Sequence, residues 1–248
     1  MHIEVLTTYS ASSVCPVYCR LCTRSYSVGA KTETVSKKRF LPLRKYWEPM
    51  FEYIAQTPAV TDVVVSGGDS FFLEPAQLRV IGHELLGIEH VRRIRFVSKG
   101  LSVCPSRILD LSDKWTEALI EISELGRKRG KSVALHTHFN HPQEISWITE
   151  LAAQRLFENA VTGDMVQGVE DLRTPLRDIL HIESHVRATI AGFMTSSFVV
   201  DLPGGGGKRL AATFESYDQN TGVSTFVAPG VKGSTIHEYH DPLWSLPG

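Results

Sequence analysis

The chain has no cysteine after Cys104, and three of its four cysteines, Cys15, Cys19 and Cys22, fall within one short stretch. That distribution is unlike the disulfide framework of a small secreted scaffold and points to a reducing compartment, here expected to be the cytoplasm. Net charge is nearly absent as well: 26 Lys and Arg stand against 27 Asp and Glu, a balance of −1. No global field therefore draws the protein to nucleic acid or to anionic lipid, and neither is expected as a partner. No apolar run approaches the ~20 residues of a membrane-spanning helix. The opening MHIEVLTTYS has neither the basic start nor the apolar centre of a secretion signal. No internal repeat is visible. What is present is an ordinary globular composition, 42% hydrophobic, in 248 residues, a length that one large α/β domain can take up.

Strand-like and helix-like stretches alternate up to residue 158. IEVLTTY (3–9), DVVVSGGD (62–69), RIRFVSKG (93–100) and SVALHTHF (132–139) read as strands. Between them LRKYWEPMFEYIAQT (43–57) carries Trp47, Met50, Phe51 and Ile54 at helical spacing, and 75–88, 113–130 and 141–157 also read as helices. This alternation predicts a parallel sheet with right-handed crossovers, either open or wound into a barrel. The residues with chemistry fall where the strands end: Cys15, then Gly67-Gly68-Asp69, then Ser98-Lys99, then His136 to His141. In barrels that rim is where sites are built. Beyond residue 158 the rhythm fails. ENAVTGDMVQGVEDLRTP is polar, 176–193 reads as a helix, 196–202 as a strand running into PGGGGKR (203–209), and 210–248 as turns with short strands.

The cysteines follow the pattern CxxxCxxC in VCPVYCRLCTR. Three thiolates so spaced suit three corners of a cuboidal [4Fe–4S] cluster and leave the fourth iron to another ligand. A structural zinc site takes four protein ligands, so a histidine would have to complete it. A disulfide would leave one of the clustered thiols unpaired. HTHFNHP places His136 and His138 on one strand face and His141 in the turn, a pattern that ligates metal in some hydrolases. PGGGGK reads in isolation as a flexible loop with a solvated Lys208. It is not a phosphate P-loop, since Leu202 stands where that motif has Gly and Arg209 where it has Ser or Thr.

CxxxCxxC with Tyr18 before the second cysteine, placed after a first strand, resembles the radical S-adenosylmethionine (SAM) superfamily, and SGGD after the second strand fits the same picture. More narrowly, CPVYCRLCTR, TDVVVSGGD, HTHFNHPQEI, DLRTP and FVVDLPGGGGK, in that order along the chain, are similar to the lysine 2,3-aminomutase family. The resemblance implies an isomerase, an intramolecular amino transfer that interconverts L-lysine and L-β-lysine by way of a 5′-deoxyadenosyl radical. It implies an α/β fold: a partial (β/α) TIM-type barrel with a C-terminal strand-and-loop segment that carries a pyridoxal 5′-phosphate (PLP) lysine. The cofactors it implies are a [4Fe–4S] cluster on Cys15, Cys19 and Cys22, SAM, and PLP on Lys208. Tyr18, Gly67, Gly68, Asp69 and His136 are then expected around SAM and PLP. Asp164 and Asp201 are expected to take the distal ammonium of lysine, a pair that would repel glutamate. Arg24 is expected to take the α-carboxylate, which a fork of donors fits better than a point charge does; Arg20 ranks below it for that role. An electron donor is implied as a partner, and homo-oligomer formation is left open.

Three departures from the family pattern shape the expectation. The family's N-terminal helical segment, and a Tyr-Pro-Asp-Arg-like stretch that helps to hold PLP, have no counterpart before the first strand. One strand–helix unit, of roughly 30 or more residues, is expected to be missing where the helix ending near Phe157 runs into ENAVTGD. The zinc-binding cysteines that some members carry near the C-terminus are absent, and Leu21 stands where the family commonly has His. Residues 1–193 are thus expected to form the partial barrel, and 194–248 the PLP-lysine segment and tail of the same structural unit. The alternatives are an inactive or shortened homologue that still binds a cluster, a radical SAM enzyme without PLP, and a metal-binding module. Free lysine and protein-bound lysine both fit as substrate.

Overall fold

Period-2 alternation of apolar and polar residues builds the first sheet. Five parallel strands, β1 (Val5–Ser12), β2 (Val60–Gly67), β3 (Arg93–Ser98), β4 (Ser132–His138) and β5 (Thr162–Val166), lie side by side in sequence order. The computed structural model describes residues 5–19, 22, 24–29, 31, 33, 36–37, 42–139, 142–159, 161–166, 174–189, 197–203, 206–230, 233–242 and 245–247, with 162–166 described by their backbone. One alternate set of strand residues, Val63 and Val65, Ile94 and Phe96, Val133 and Leu135, is buried in a single core. Register places Tyr9, Val65, Phe96 and Leu135 in one row across four strands.

The helices supply the other half of that core. They contribute Trp47 and Ile54 from α1 (Arg44–Ala55) and Leu78, Ile81 and Leu85 from α2 (Pro75–Gly87). After the short α3 (Gly100–Val103) come Ile108 from α4 (Pro105–Leu109), Trp115, Leu119 and Ile122 from α5 (Trp115–Lys128), and Ala152 and Leu156 from α6 (Trp147–Glu158). Strands in sequence order joined by right-handed crossovers carry every helix to the same face. The opposite alternate set is accordingly free to be polar: Thr8 and Ser10, Asp62 and Ser66, Arg95, His136 and His138. On that face Arg95 Nε donates to Asp62 Oδ1 at 3.1 Å, with a second bond between the same two groups.

Two elements differ from the sequence reading. The helix expected from residue 141 begins instead at Trp147, after a 3-10 turn at Pro142–Glu144. Ser146 stops it there: its Oγ accepts the Thr149 N–H at 3.3 Å, and Thr149 Oγ1 accepts the Ser146 N–H at 3.1 Å, a reciprocal cap. The polar stretch after 158 contains a strand, β5. Thr162–Val166 includes Gly163 and Asp164 and shows no alternation; pairing with β4, from Ala134 opposite Thr162 to His138 opposite Val166, sets it in the sheet.

Contacts divide the chain into two compact units, Met1–Gln167 and Gly168–Gly248. The helix α7 (Leu176–Thr189), which the sequence grouped with the first part, packs with the second: Leu176 is buried with Val200, Leu202, Phe226 and Tyr239. The second unit holds an antiparallel pair, β6 (Val199–Leu202) and β7 (Gly207–Leu210), and a three-stranded antiparallel sheet of β8 (Ser216–Asp218), β9 (Val223–Gly230) and β10 (Gly233–His240). Asp241 caps α7: Oδ1 accepts the Leu176 N–H at 2.8 Å and Oδ2 the Tyr217 hydroxyl at 2.6 Å. No described helix is long and apolar enough to cross a membrane.

Candidate active site

A register slip between Ser10 and Ser12 precedes the last pair of β1 and β2, Ser12 with Gly67, after which the chain leaves the sheet into the cysteine loop. The two glycines at the end of β2 receive the root of that loop. Gly68 N–H donates to the Ser12 carbonyl at 2.5 Å, and Asp69 N–H to the Val14 carbonyl at 2.8 Å. A Cβ at Gly68 would stand 2.0 Å from Val14 O; at Gly67, whose φ is +115°, it would stand 2.2 Å from Ser12 O. The close approach these glycines permit is thus made by the backbone just before Cys15. Asp69 is buried and its two oxygens are engaged: Oδ1 accepts the Phe71 N–H and Oδ2 the Lys99 N–H, each at 2.8 Å. It ties the end of β2 to the end of β3. Burial raises its carboxyl above the usual range, against the pull of those bonds.

Cys15, Cys19 and Cys22 are free, half-buried thiols. Tight turns shape the loop: Cys22 N–H donates to the Cys19 carbonyl and Ser25 N–H to the Cys22 carbonyl, each at 3.1 Å. Burial pushes the Cys15 thiol up to about 11, and the charges of Asp69, Cys19 and Cys22 add to it. Burial raises Cys19 too, opposed by the charge of Lys99. The thiols are therefore close enough to feel one another, yet among the described residues no three His, Cys, Asp or Glu side chains are set to hold a metal ion. Metal binding by thiols takes up the ion as the ligands lose their protons. The donor set itself, three soft thiols on one loop, fits an iron–sulfur cluster. Tyr18 is exposed and, with Cys19, Cys22, Ser25, Val28, Gly29 and Lys37, lines a cavity of about 370 Å³.

Arg24 folds back from this loop toward the sheet, where its Nη1 donates to Ser10 Oγ at 2.7 Å on the polar face. His136 lies on the same face of β4, and backbone register sets Asp164 opposite it. The side chain of Asp164 lies outside the described residues, as do Arg20, Leu21, His141 and Arg173. Two residues the sequence did not single out as site residues join the strand ends. Lys99 is buried; its Nζ donates to the His138 carbonyl at 3.2 Å and to Glu144 Oε2 at 3.4 Å. Burial, helped by the Lys99 charge, holds the His138 imidazole below its usual range. Lys99 was visible in the sequence as a strand-end residue; Glu144 carried no signal.

In the second unit Asp201 and Lys208 are register partners across the β6–β7 hairpin, and both are exposed. Gly207 and Lys208 of PGGGGK therefore open β7. A Cβ at Gly206 would stand 2.6 Å from Leu202 Cβ and 2.7 Å from His237 Cγ, and the His237 ring is hydrogen-bonded to the Pro203 carbonyl at 3.1 Å.

No family model matches the chain. Individual proteins do. An L-lysine 2,3-aminomutase of Fusobacterium nucleatum is 30% identical over 234 residues, covering 79% of this chain and 51% of the relative. That of Clostridium subterminale is 29% identical over 274 residues, covering 96% of this chain and 61% of the relative. Over most of its length the chain is similar to the lysine 2,3-aminomutases. The relatives are named for more than one substrate: a glutamate 2,3-aminomutase of Clostridioides difficile is 25% identical over 236 residues, 80% of this chain. The chain spans about half the length of the curated relatives it matches. The 274 aligned positions of the Clostridium subterminale protein exceed the 248 residues of this chain, so the relative has residues inside the aligned stretch that this chain lacks.

Proposed function

We propose that this chain is a radical SAM, PLP-dependent aminomutase that moves an amino group between C2 and C3 of L-lysine. The observation that carries this reading is the cysteine loop. In a chain similar to aminomutases, three thiols on one loop are rooted by Gly67-Gly68-Asp69 at the C-terminal ends of two adjacent parallel strands. Cys15, Cys19 and Cys22 would hold the cluster and Lys208 the PLP. When bound, the cluster supplies the electron that cleaves SAM, and PLP supplies the imine chemistry of the migrating amine. The remaining work falls to the chain's own side chains. Arg24, steadied by Ser10, offers a fork of donors to a substrate carboxylate. Asp201 and Asp164 would take the distal ammonium, which favours lysine over glutamate. The parallel sheet, with one face sealed by helices and the other polar, suits a partial barrel with its site on the polar side. A second reading, a homologue that binds a cluster without turnover, is favoured by the residues inside the aligned stretch that this chain lacks.

The test is anaerobic reconstitution of the full chain with iron, sulfide and PLP, followed by SAM, a reductant and either L-lysine or L-glutamate. β-Lysine formation, with no product from glutamate, is the expected result. A brown protein that takes up PLP but forms no product would replace the first reading with the second. A colourless protein that binds zinc would end both.

A further inference from the structure

The stretch that carries Cys15, Cys19 and Cys22 is also where positive charge gathers. Between residues 14 and 39 stand six Lys and Arg and a single acidic residue, Glu33, in a chain whose overall balance is −1. Of the six, Arg24 is turned inward to Ser10. Lys31 is exposed and Lys37 half-buried, and among the described residues neither has a carboxylate partner. Neither has a part in the chemistry assigned above.

Lys37 is set beside the thiols by geometry. With Tyr18, Cys19 and Cys22 it lines the cavity of about 370 Å³, and its Nζ donates to the Val28 carbonyl at 2.6 Å. A Cβ at Gly29, whose φ is +89°, would stand 3.0 Å from Tyr18 Cε1 and 3.3 Å from Lys37 Nζ, so the ring and the ammonium come together over that glycine. The same stretch exposes apolar surface: Tyr18 is 72% exposed, Tyr26 58% and Val14 44%. Unpaired cations among exposed aromatic rings suit a protein partner of negative charge. The charges steer the encounter, and the rings supply contact area once water leaves.

We infer that the cysteine loop, with Lys31 and Lys37, is the docking surface for an acidic carrier protein that delivers single electrons at low potential. The inference rests on the cluster reading of the previous section. In the step concerned, one electron passes from the reduced carrier to the cluster; the carrier is oxidised by one electron, the cluster becomes more negative by one charge, and no bond is made or broken. Such a transfer weakens steeply with distance, so the carrier must dock where the cluster ligands reach the surface. Cys15, Cys19 and Cys22, none of them fully buried, do so on this loop. Transient electron-transfer encounters bury less than ~1,200 Å² in all, a footprint on the scale of one loop. Outside residues 14–39 the chain is acidic, with 26 of its 27 Asp and Glu against 20 of its 26 Lys and Arg. That remainder repels a long polyanion such as nucleic acid, while a compact acidic protein can meet the loop alone.

The experiment uses the anaerobically reconstituted full chain, reduced with dithionite, freed of it, and mixed in a stopped-flow spectrometer with an oxidised, acidic plant-type [2Fe–2S] ferredoxin, without SAM or substrate. Electron transfer in this direction uses the same docked complex as the reverse. The wild-type rate should fall as salt rises from about 20 mM to about 500 mM, where charges are screened within a few ångströms. The double variant Lys31→Glu, Lys37→Glu should be slower by about tenfold at low salt, with the gap closing at high salt, and Lys37→Arg should keep the wild-type rate. The amount of cluster that dithionite reduces, read by electron paramagnetic resonance, should be the same in all. Equal rates in the wild type and the double variant, or a wild-type rate indifferent to salt, would overturn the inference. So would binding of a single-stranded oligothymidylate that the double variant loses while the electron-transfer rate stays put, which gives the surface to nucleic acid. If the double variant takes up no iron, the exposed Lys31→Glu decides alone: slowing by about threefold that salt abolishes supports the inference, and an unchanged rate defeats it. A wild-type chain that binds no cluster is a different result, and removes the cluster reading and this inference together.

Discussion

Gly68 is held by a contact that no side chain could share. The 2.0 Å between an added Cβ and Val14 O is a clash with backbone, which cannot swing aside as a flexible side chain would. Overpacking of this kind costs about 1–3 kcal/mol. Gly68→Ala should therefore lower the unfolding free energy by that amount, seen as a lower urea midpoint at unchanged slope, and reduce the iron bound on reconstitution, because the displaced segment is the root of the cysteine loop. Gly87 is the control. It closes α2 with nothing within 4 Å of its added Cβ, so Gly87→Ala should leave stability equal or raise it by up to about 1 kcal/mol. Equal effects at the two glycines would refute the account. At this scale the sequence was legible where one residue type has one use. Clustered cysteines, a Gly-Gly pair at a strand end and an arginine two places past Cys22 could be read without a fold. The Lys99–Glu144 pair could not, because its partners are 45 residues apart and meet only once β3, β4 and the turn at Pro142–Glu144 are in place.

Among the elements, α5 depends on a carboxylate outside it. Lys114, immediately before the helix, provides no side-chain cap, but Asp113 Oδ1 accepts the Trp115 N–H at 2.8 Å and its Oδ2 accepts Arg107 Nε at 2.6 Å. Burial alone would raise the Asp113 carboxyl; these bonds, together with the Arg107 charge, outweigh it and hold the group below its usual range. A carboxyl lowered in the folded state adds stability that is present above its unfolded value, near pH 4, and is lost as pH falls through the folded value. Asp113→Ala should cost about 0.5–2 kcal/mol at pH 7, and the gap between wild type and variant, followed by urea unfolding, should shrink below pH 4. A gap independent of pH would show that the charge is not what matters. The β6–β7 hairpin gives the opposite case. Lys208 is exposed, so Lys208→Ala should change the unfolding free energy by no more than about 0.5 kcal/mol while, on the proposed function, abolishing PLP labelling on borohydride reduction; labelling that survives would remove Lys208 from that role. Elements with strong periodicity were the ones the sequence revealed, as in α1 with Trp47, Phe51 and Ile54 buried on one face. β5 escaped because Gly163 and Asp164 carry little apolar signal, and its pairing with β4 fixes it instead; the tail read only as turns with short strands, and it is mutual pairing that sets the length of β9 and β10.

On the scale of the whole molecule, the apolar residues collect into two separate cores rather than one. The first gathers strand and helix residues from Tyr9 to Val161, and the second gathers Leu176, Val200, Leu202, Ala211, Phe226 and Tyr239. Small cores support little stability on their own, and the second unit adds to its core a buried polar junction in which Asp241 holds both α7 and Tyr217. There the phenol of Tyr217 is pushed up to about 12 by burial and by the Asp241 carboxylate it donates to. A substitution confined to one core should then be felt in one unit. Ile81 and Phe226 are both fully buried, one in each core. Ile81→Ala should cost about 2–5 kcal/mol and Phe226→Ala about 3–5 kcal/mol. Differential scanning calorimetry of the full chain should show each variant lowering a different transition, with the other left in place. A single transition that both variants lower alike would mean that the two cores unfold as one cooperative body, and that the two units are divisions of contact but not of stability.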